Sequence, residues 1–94
     1  MKIKLDTEFK TLKGETVMEG EGALTLKSVI TGAVLMPNEN LTGKEKANRY
    51  GIAVRVEAAG KSIELEVEEV ALIKEDIGKF YSALVVGQAY EMLK

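Results

Sequence analysis

The stretch from Ile63 to Leu93, IELEVEEVALIKEDIGKFYSALVVGQAYEML, constrains the fold more than any other part of the chain. Val70, Ile73, Ile77 and Phe80 recur at steps of three and four residues, Ser82 interrupts, and Val86, Ala89, Tyr90 and Leu93 resume the pattern. Such recurrence lines up one face of an α-helix, and an apolar face needs a partner. The pattern predicts a third helix from Val67 to Tyr81 and a fourth from Ala83 to Lys94, capped by Ser82 and packed on the third as the core. Ile73, Ile77, Phe80, Val86, Ala89, Tyr90 and Leu93 are the residues expected to be buried between them. Glu68 and Glu69 fall in the first turn of the third helix, where the positive end of the helix dipole favours carboxylates.

Upstream, the signals are more mixed. Ile3 and Leu5 alternate with Lys2, Lys4 and Asp6, the period of a half-buried strand. Leu12 to Val17 reads as a second short strand, with Lys13-Gly14 as the turn, so residues 1–18 are expected to form a β-hairpin. Thr25 is a good N-cap for a first helix running to Met36, with Leu24 and Val29 placed as a hydrophobic staple. Pro37, the only proline, ends that helix. Thr42 and Glu45 form a capping box that opens a second helix at Gly43. The segment from Tyr50 to Glu66 supports two readings. Ala47, Tyr50, Val54 and Ala58 share one helical face, yet Ile52, Val54 and Val56 alternate as in a strand that returns through Ile63 and Leu65. The cap and the length favour helix. The expected architecture is α+β: a short N-terminal β-hairpin followed by about four helices, mostly helical, in a single domain whose residues 25–94 form the helical core.

Composition closes several functional routes. The chain has 94 residues with neither cysteine nor histidine. This removes thiolate ligands and nucleophiles, the commonest general base and the usual partner of a catalytic serine. The glycines form no phosphate-binding loop. Glu64, Glu66, Glu68 and Glu69 lack calcium-loop spacing. No apolar run approaches the roughly 18 residues of a membrane span, and no leader pattern opens the chain. The residues therefore point to no catalytic, cofactor or metal site, and to a protein without enzymatic activity. Four glycines fall within proposed helices, namely Gly32, Gly51, Gly78 and Gly87. Each costs about 1 kcal/mol against alanine there, so close packing against tyrosine or phenylalanine rings is expected.

Charge is unevenly spread over a net of −2. Lys44, Lys46, Arg49 and Arg55 face only Glu45 between Leu41 and Val56, whereas Glu64 to Asp76 is strongly acidic. A basic surface meeting an acidic one, within the chain or between copies, is one consequence. Nucleic-acid contact through Lys44, Lys46, Arg49 and Arg55 is the alternative to protein binding, although an acidic chain is a poor general binder of phosphates. If Ala47 and Tyr50 face the core, Ile52 and Val56 are left over beside Arg49. With Leu84 and Val85 on the fourth helix they make a candidate interface for a symmetric dimer.

The segments LTLKSVI, NLTGKEKANRYGIAVRV and IELEVEEVALIKEDIGKFYSALVVGQAYEML resemble small proteins of unknown function encoded by tailed bacteriophages and prophages. The resemblance covers Ala23 to Lys94 and is carried most by GKEKANRY, EEVALIK and LVVGQAYEML. It favours helix over strand for Gly43 to Ala58. It implies a phage origin, a place in the bacterial cytoplasm or the virion, and a role in binding a phage or host protein. It supplies no catalytic residue.

Overall fold

Each helix begins where a local device lets it begin. In the computed structural model, which describes residues 1–94, the Thr25 hydroxyl accepts the Ser28 N–H at 3.4 Å and opens α1 (Leu26–Leu35). The capping box is complete at α2 (Gly43–Ala58). Glu45 N–H donates to Thr42 Oγ1 at 3.2 Å, and Thr42 N–H donates to the Glu45 carboxylate at 3.0 Å. These bonds to the charged form hold the Glu45 carboxyl below its ordinary value. An analogous exchange between Glu66 and Glu69 opens α3 (Val67–Phe80), and α4 (Ala83–Met92) follows Ser82. Met36 is forced to extended backbone before Pro37, which terminates α1.

The fold is α+β, with a two-stranded N-terminal hairpin followed by four helices. The strands are β1 (Lys2–Lys4), β2 (Met18–Glu19), β3 (Gly22–Ala23) and β4 (Ser62–Glu64). The hairpin lies further along the chain than residues 1–18. It pairs β2 with β3, Met18 opposite Ala23 and Glu19 opposite Gly22, across a turn in which Gly20 takes φ +62°. The Lys13-Gly14 turn forms too, closing a single bridge between Lys10 and Thr16. β1, however, pairs antiparallel with β4, Ile3 opposite Ile63. Residues 50–58 are therefore helix, and the strand that follows, Ser62–Glu64, pairs with β1 rather than with residues 52–56.

From β1 the chain runs as a strap over the helices. Leu26 N–H donates to Thr7 O and Lys27 N–H to Leu5 O, both at 3.0 Å. Lys27 then reaches the far end of α2, where its ammonium donates to Ala59 O at 2.8 Å and Glu57 O at 3.3 Å. A cation on open carbonyls at a helix C-terminus satisfies both the hydrogen bonds and the dipole. Gln88 on α4 holds the strap on the other side. Its amide accepts Lys10 N–H at 2.9 Å and donates to Lys10 O at 2.7 Å, as a neighbouring strand would.

The core is centred on α1 rather than on the α3–α4 pair. Leu26, Val29, Ile30, Ala33 and Val34 are buried, and α1 packs against both α2 and α3. Ile3, Leu5 and Phe9 from the strap close the same cluster. Of the expected α3–α4 set, Ile73, Ile77, Ala89 and Leu93 are buried, Phe80 and Val86 are half-buried, and Tyr90 is exposed. The reason is geometric. Phe80 ends α3 and Tyr90 lies across α3's surface, its hydroxyl donating to Lys74 O at 3.0 Å. Tyr90 passes so close to Gly78 that a Cβ there would sit 2.7 Å from the phenol oxygen, and Tyr81 similarly occupies the space over Gly32. Two of the four helical glycines therefore make room for rings; Gly51 and Gly87 face open space. No helix is long and apolar enough to cross a membrane.

Phe9, fully buried, is expected to carry more stability than Phe80. Phe9→Ala should lower unfolding free energy by about 3–5 kcal/mol, and Phe80→Ala by clearly less, read from urea denaturation midpoints.

Candidate interaction surface

The basic and acidic stretches meet inside one chain. Arg49, on α2, is 6% exposed and Asp76, on α3, 1%. The guanidinium grips the carboxylate with two bonds, Nε to Oδ2 at 2.7 Å and Nη2 to Oδ1 at 3.2 Å. Its remaining nitrogen donates to Glu45 O at 3.4 Å, one turn back on its own helix. The hydrogen bond to Asp76 raises the Arg49 pKa further above its ordinary value. Two turns further along α2, Arg55 makes a second forked pair with Glu69, one arm measuring 3.3 Å. That bond holds the Glu69 carboxyl below the ordinary glutamate value, aided by the N–H of Glu66. α2 is thus riveted to α3 at two points.

These pairs reassign the residues singled out from sequence. Arg49, Ile52, Val56 and Val85 are buried, and Leu84 is half-buried, so together they form no surface patch for a partner. Arg49 can turn inward only because Asp76 waits for it. That rotation carries Ile52, Ala53 and Val56 into the core with it. The basic quartet is divided for the same reason. Arg49 and Arg55 are spent on Asp76 and Glu69, which leaves Lys44 and Lys46 exposed in the first turn of α2. The four do not make one cationic face for a phosphate backbone. Gln88 on α4 holds Lys10, and Lys94, just beyond the end of α4, pairs with Glu91. No three acidic side chains converge as metal ligands would.

The turn of α2 leaves the other stripe outside. Tyr50 is 66% exposed and Val54 48%. Beside them lie Leu35 and Met36 at the end of α1, also exposed. A groove of about 320 Å³ runs between the helices, walled by Thr31, Leu35, Tyr50, Ala53, Val54 and Glu57. It adjoins a cleft of about 270 Å³ under the 36–41 loop, lined by Leu35, Met36, Pro37, Leu41 and Lys46 among others. Leu35 is common to both. The result is a continuous apolar face on α1 and α2, with Lys46 at one end and Glu57 at the other. Sequence periodicity finds both stripes of α2 but assigns Tyr50 and Val54 to the interior. The signal that reverses the assignment is Arg49, whose partner lies 27 residues away and cannot be paired by spacing alone.

No protein-family model, curated protein or solved structure matches this chain.

Two measurements test the rivets. Asp76→Asn leaves a buried guanidinium without its counter-charge and should cost about 3–5 kcal/mol. Arg55→Gln breaks a pair that water reaches, and should cost no more than about 1 kcal/mol. The pH dependence follows from Glu69. Its folded value is depressed, so its contribution is present above 4.5 and is lost as pH falls through the lower folded value. Stability should decline on acidification below that point, and Glu69→Gln should make the decline shallower in urea titrations across the same window.

Proposed function

We propose that this chain is a small, non-enzymatic protein-binding module, of the kind encoded by tailed phages and prophages, that works on a phage or host protein in the bacterial cytoplasm or in the virion. The observation that carries this reading is the exposed apolar face of Leu35, Met36, Tyr50 and Val54. Single exposed apolar side chains are ordinary, but a contiguous set flanking a groove is the usual mark of a contact surface. Tyrosine adds area at small entropic cost and is enriched at such contacts. Nothing in the core asks for these residues to be apolar. A chain without histidine or cysteine has few routes to catalysis but needs none to bind.

Site-specific photocrosslinking in bacterial cells tests the proposal. A benzoylphenylalanine at Tyr50 or Val54 should give discrete higher-mass protein adducts. The same group at Glu68, on the exposed start of α3, should give none. Absence of adducts at Tyr50 and Val54, or equal labelling from Glu68, would contradict it.

A further inference from the structure

We propose that the α1–α2 face receives a second copy of this chain, the two α2 helices packing antiparallel about a two-fold axis near Tyr50 and Val54. The inference rests on that face being a binding surface and names its occupant.

The argument is one of charge order along a helix. Residues advance about 100° around an α-helix, so Lys46, Tyr50, Ala53, Val54 and Glu57 fall within an arc of about 100°. Along the helix axis Tyr50 and Val54 lie between Lys46 and Glu57, which stand about 16 Å apart, and neither Lys46 nor Glu57 has an ion-pair partner within the chain. Reversing the helix exchanges the two ends. An antiparallel copy therefore sets each Lys46 beside the partner's Glu57 and each Tyr50 on the partner's Val54. A parallel copy would set lysine on lysine and glutamate on glutamate. Only the antiparallel arrangement is self-complementary, and a two-fold axis generates it.

Both charges are also wrongly placed for an isolated helix. Lys46 lies in the first turn of α2, at the positive end of the dipole, and Glu57 in the last, at the negative end. In the antiparallel pair the sense reverses. Lys46 then lies by the negative end of the partner's α2, and Glu57 by its positive end. Ala47, exposed and small on the flank of the stripe, keeps the surface low enough for two helices to approach. Leu35 extends the apolar contact onto α1.

Sedimentation equilibrium of the full chain from low micromolar to submillimolar concentration tests this. The wild-type mass should rise from 10.2 kDa to twice that value. Tyr50→Asp should stay monomeric at every concentration and melt where the dilute, monomeric wild type melts, because the side chain is exposed. Lys46→Glu should weaken the dimer by roughly tenfold, each pair occurring twice. Adding Glu57→Lys should restore it. Both reversals suit the helix dipole, so neither loss can be laid to unfolding. A 10.2 kDa mass throughout, a dimer indifferent to Tyr50→Asp, or a double variant no tighter than Lys46→Glu would each overturn the proposal. A monomer that still gives crosslinks to other proteins from Tyr50 would overturn only the identity of the occupant. A dimer whose Tyr50 crosslinks are to its own second copy alone would uphold this proposal and overturn the binding of a phage or host protein by this face.

Discussion

The forked pair between Arg49 and Asp76 sets the rotation of α2, and the remaining arrangement depends on that rotation. An isolated guanidinium buried to this degree would cost several kcal/mol, so α2 can turn Arg49 inward only where a carboxylate meets it. Asp76 does so from the middle of α3, between the buried Ile73 and Ile77. Once the pair forms, Ile52, Ala53 and Val56 follow Arg49 to the inside, and Tyr50 and Val54 are carried outside. A buried ion pair of this kind adds little net stability compared with a well-packed apolar pair. Its effect is to discriminate, because the alternative rotation would bury Tyr50 and Val54 while leaving Asp76 inside without a counter-charge. Arg55 and Glu69 then fix the same register at the rim, with weaker and salt-sensitive attraction.

The strap of residues 1–10 depends on this arrangement from the other side. β1 finds its partner in β4, a strand that exists because α2 stops at Ala58 and the chain turns back. Lys27 ties the end of α2 to α1, and Gln88 ties Lys10 to α4. Phe9, Leu5 and Ile3 are thereby held over α1 and close a core that the helices alone leave open. The N-terminal segment is consequently a structural lid on the core, joined to β4 and to the start of α1 by backbone bonds and to α4 by the Gln88 side chain.

Much of this was legible in the sequence, and the part that was not has a common cause. Thr25 and the Thr42–Glu45 box marked helix starts because capping is local chemistry, Pro37 marked a stop, and Ser82 marked the start of α4 by position, without a side-chain cap bond. The α+β class and four helices followed from them. What the sequence could not order was pairing across distance. The Ile3 and Leu5 alternation announced a strand but not that its partner was Ser62 to Glu64 rather than the nearer Leu12 to Val17. Phe9 stood in no periodic pattern and its burial went unread. α2 offered two apolar stripes, each with charges beside it, and periodicity had no means of ranking them. The opposed charge stretches did suggest an ionic contact, and the fold satisfies it within one chain, at Arg49–Asp76 and Arg55–Glu69. The exposed apolar face of α2 was missed for the same reason: it is the stripe that the core was expected to take.

The orientation of α2 decides which stripe faces water, and the absence of native cysteine makes it directly measurable. Single cysteines placed at positions 50, 54, 52 and 56 can be titrated with a thiol reagent at nanomolar chain concentration, where self-association does not shield the surface. Tyr50→Cys and Val54→Cys should react at nearly the rate of an unfolded thiol. Ile52→Cys and Val56→Cys should be protected by several orders of magnitude until urea unfolds the chain. Protection at 50 and 54 with rapid labelling at 52 and 56 would show that α2 is turned the other way, and would contradict the account.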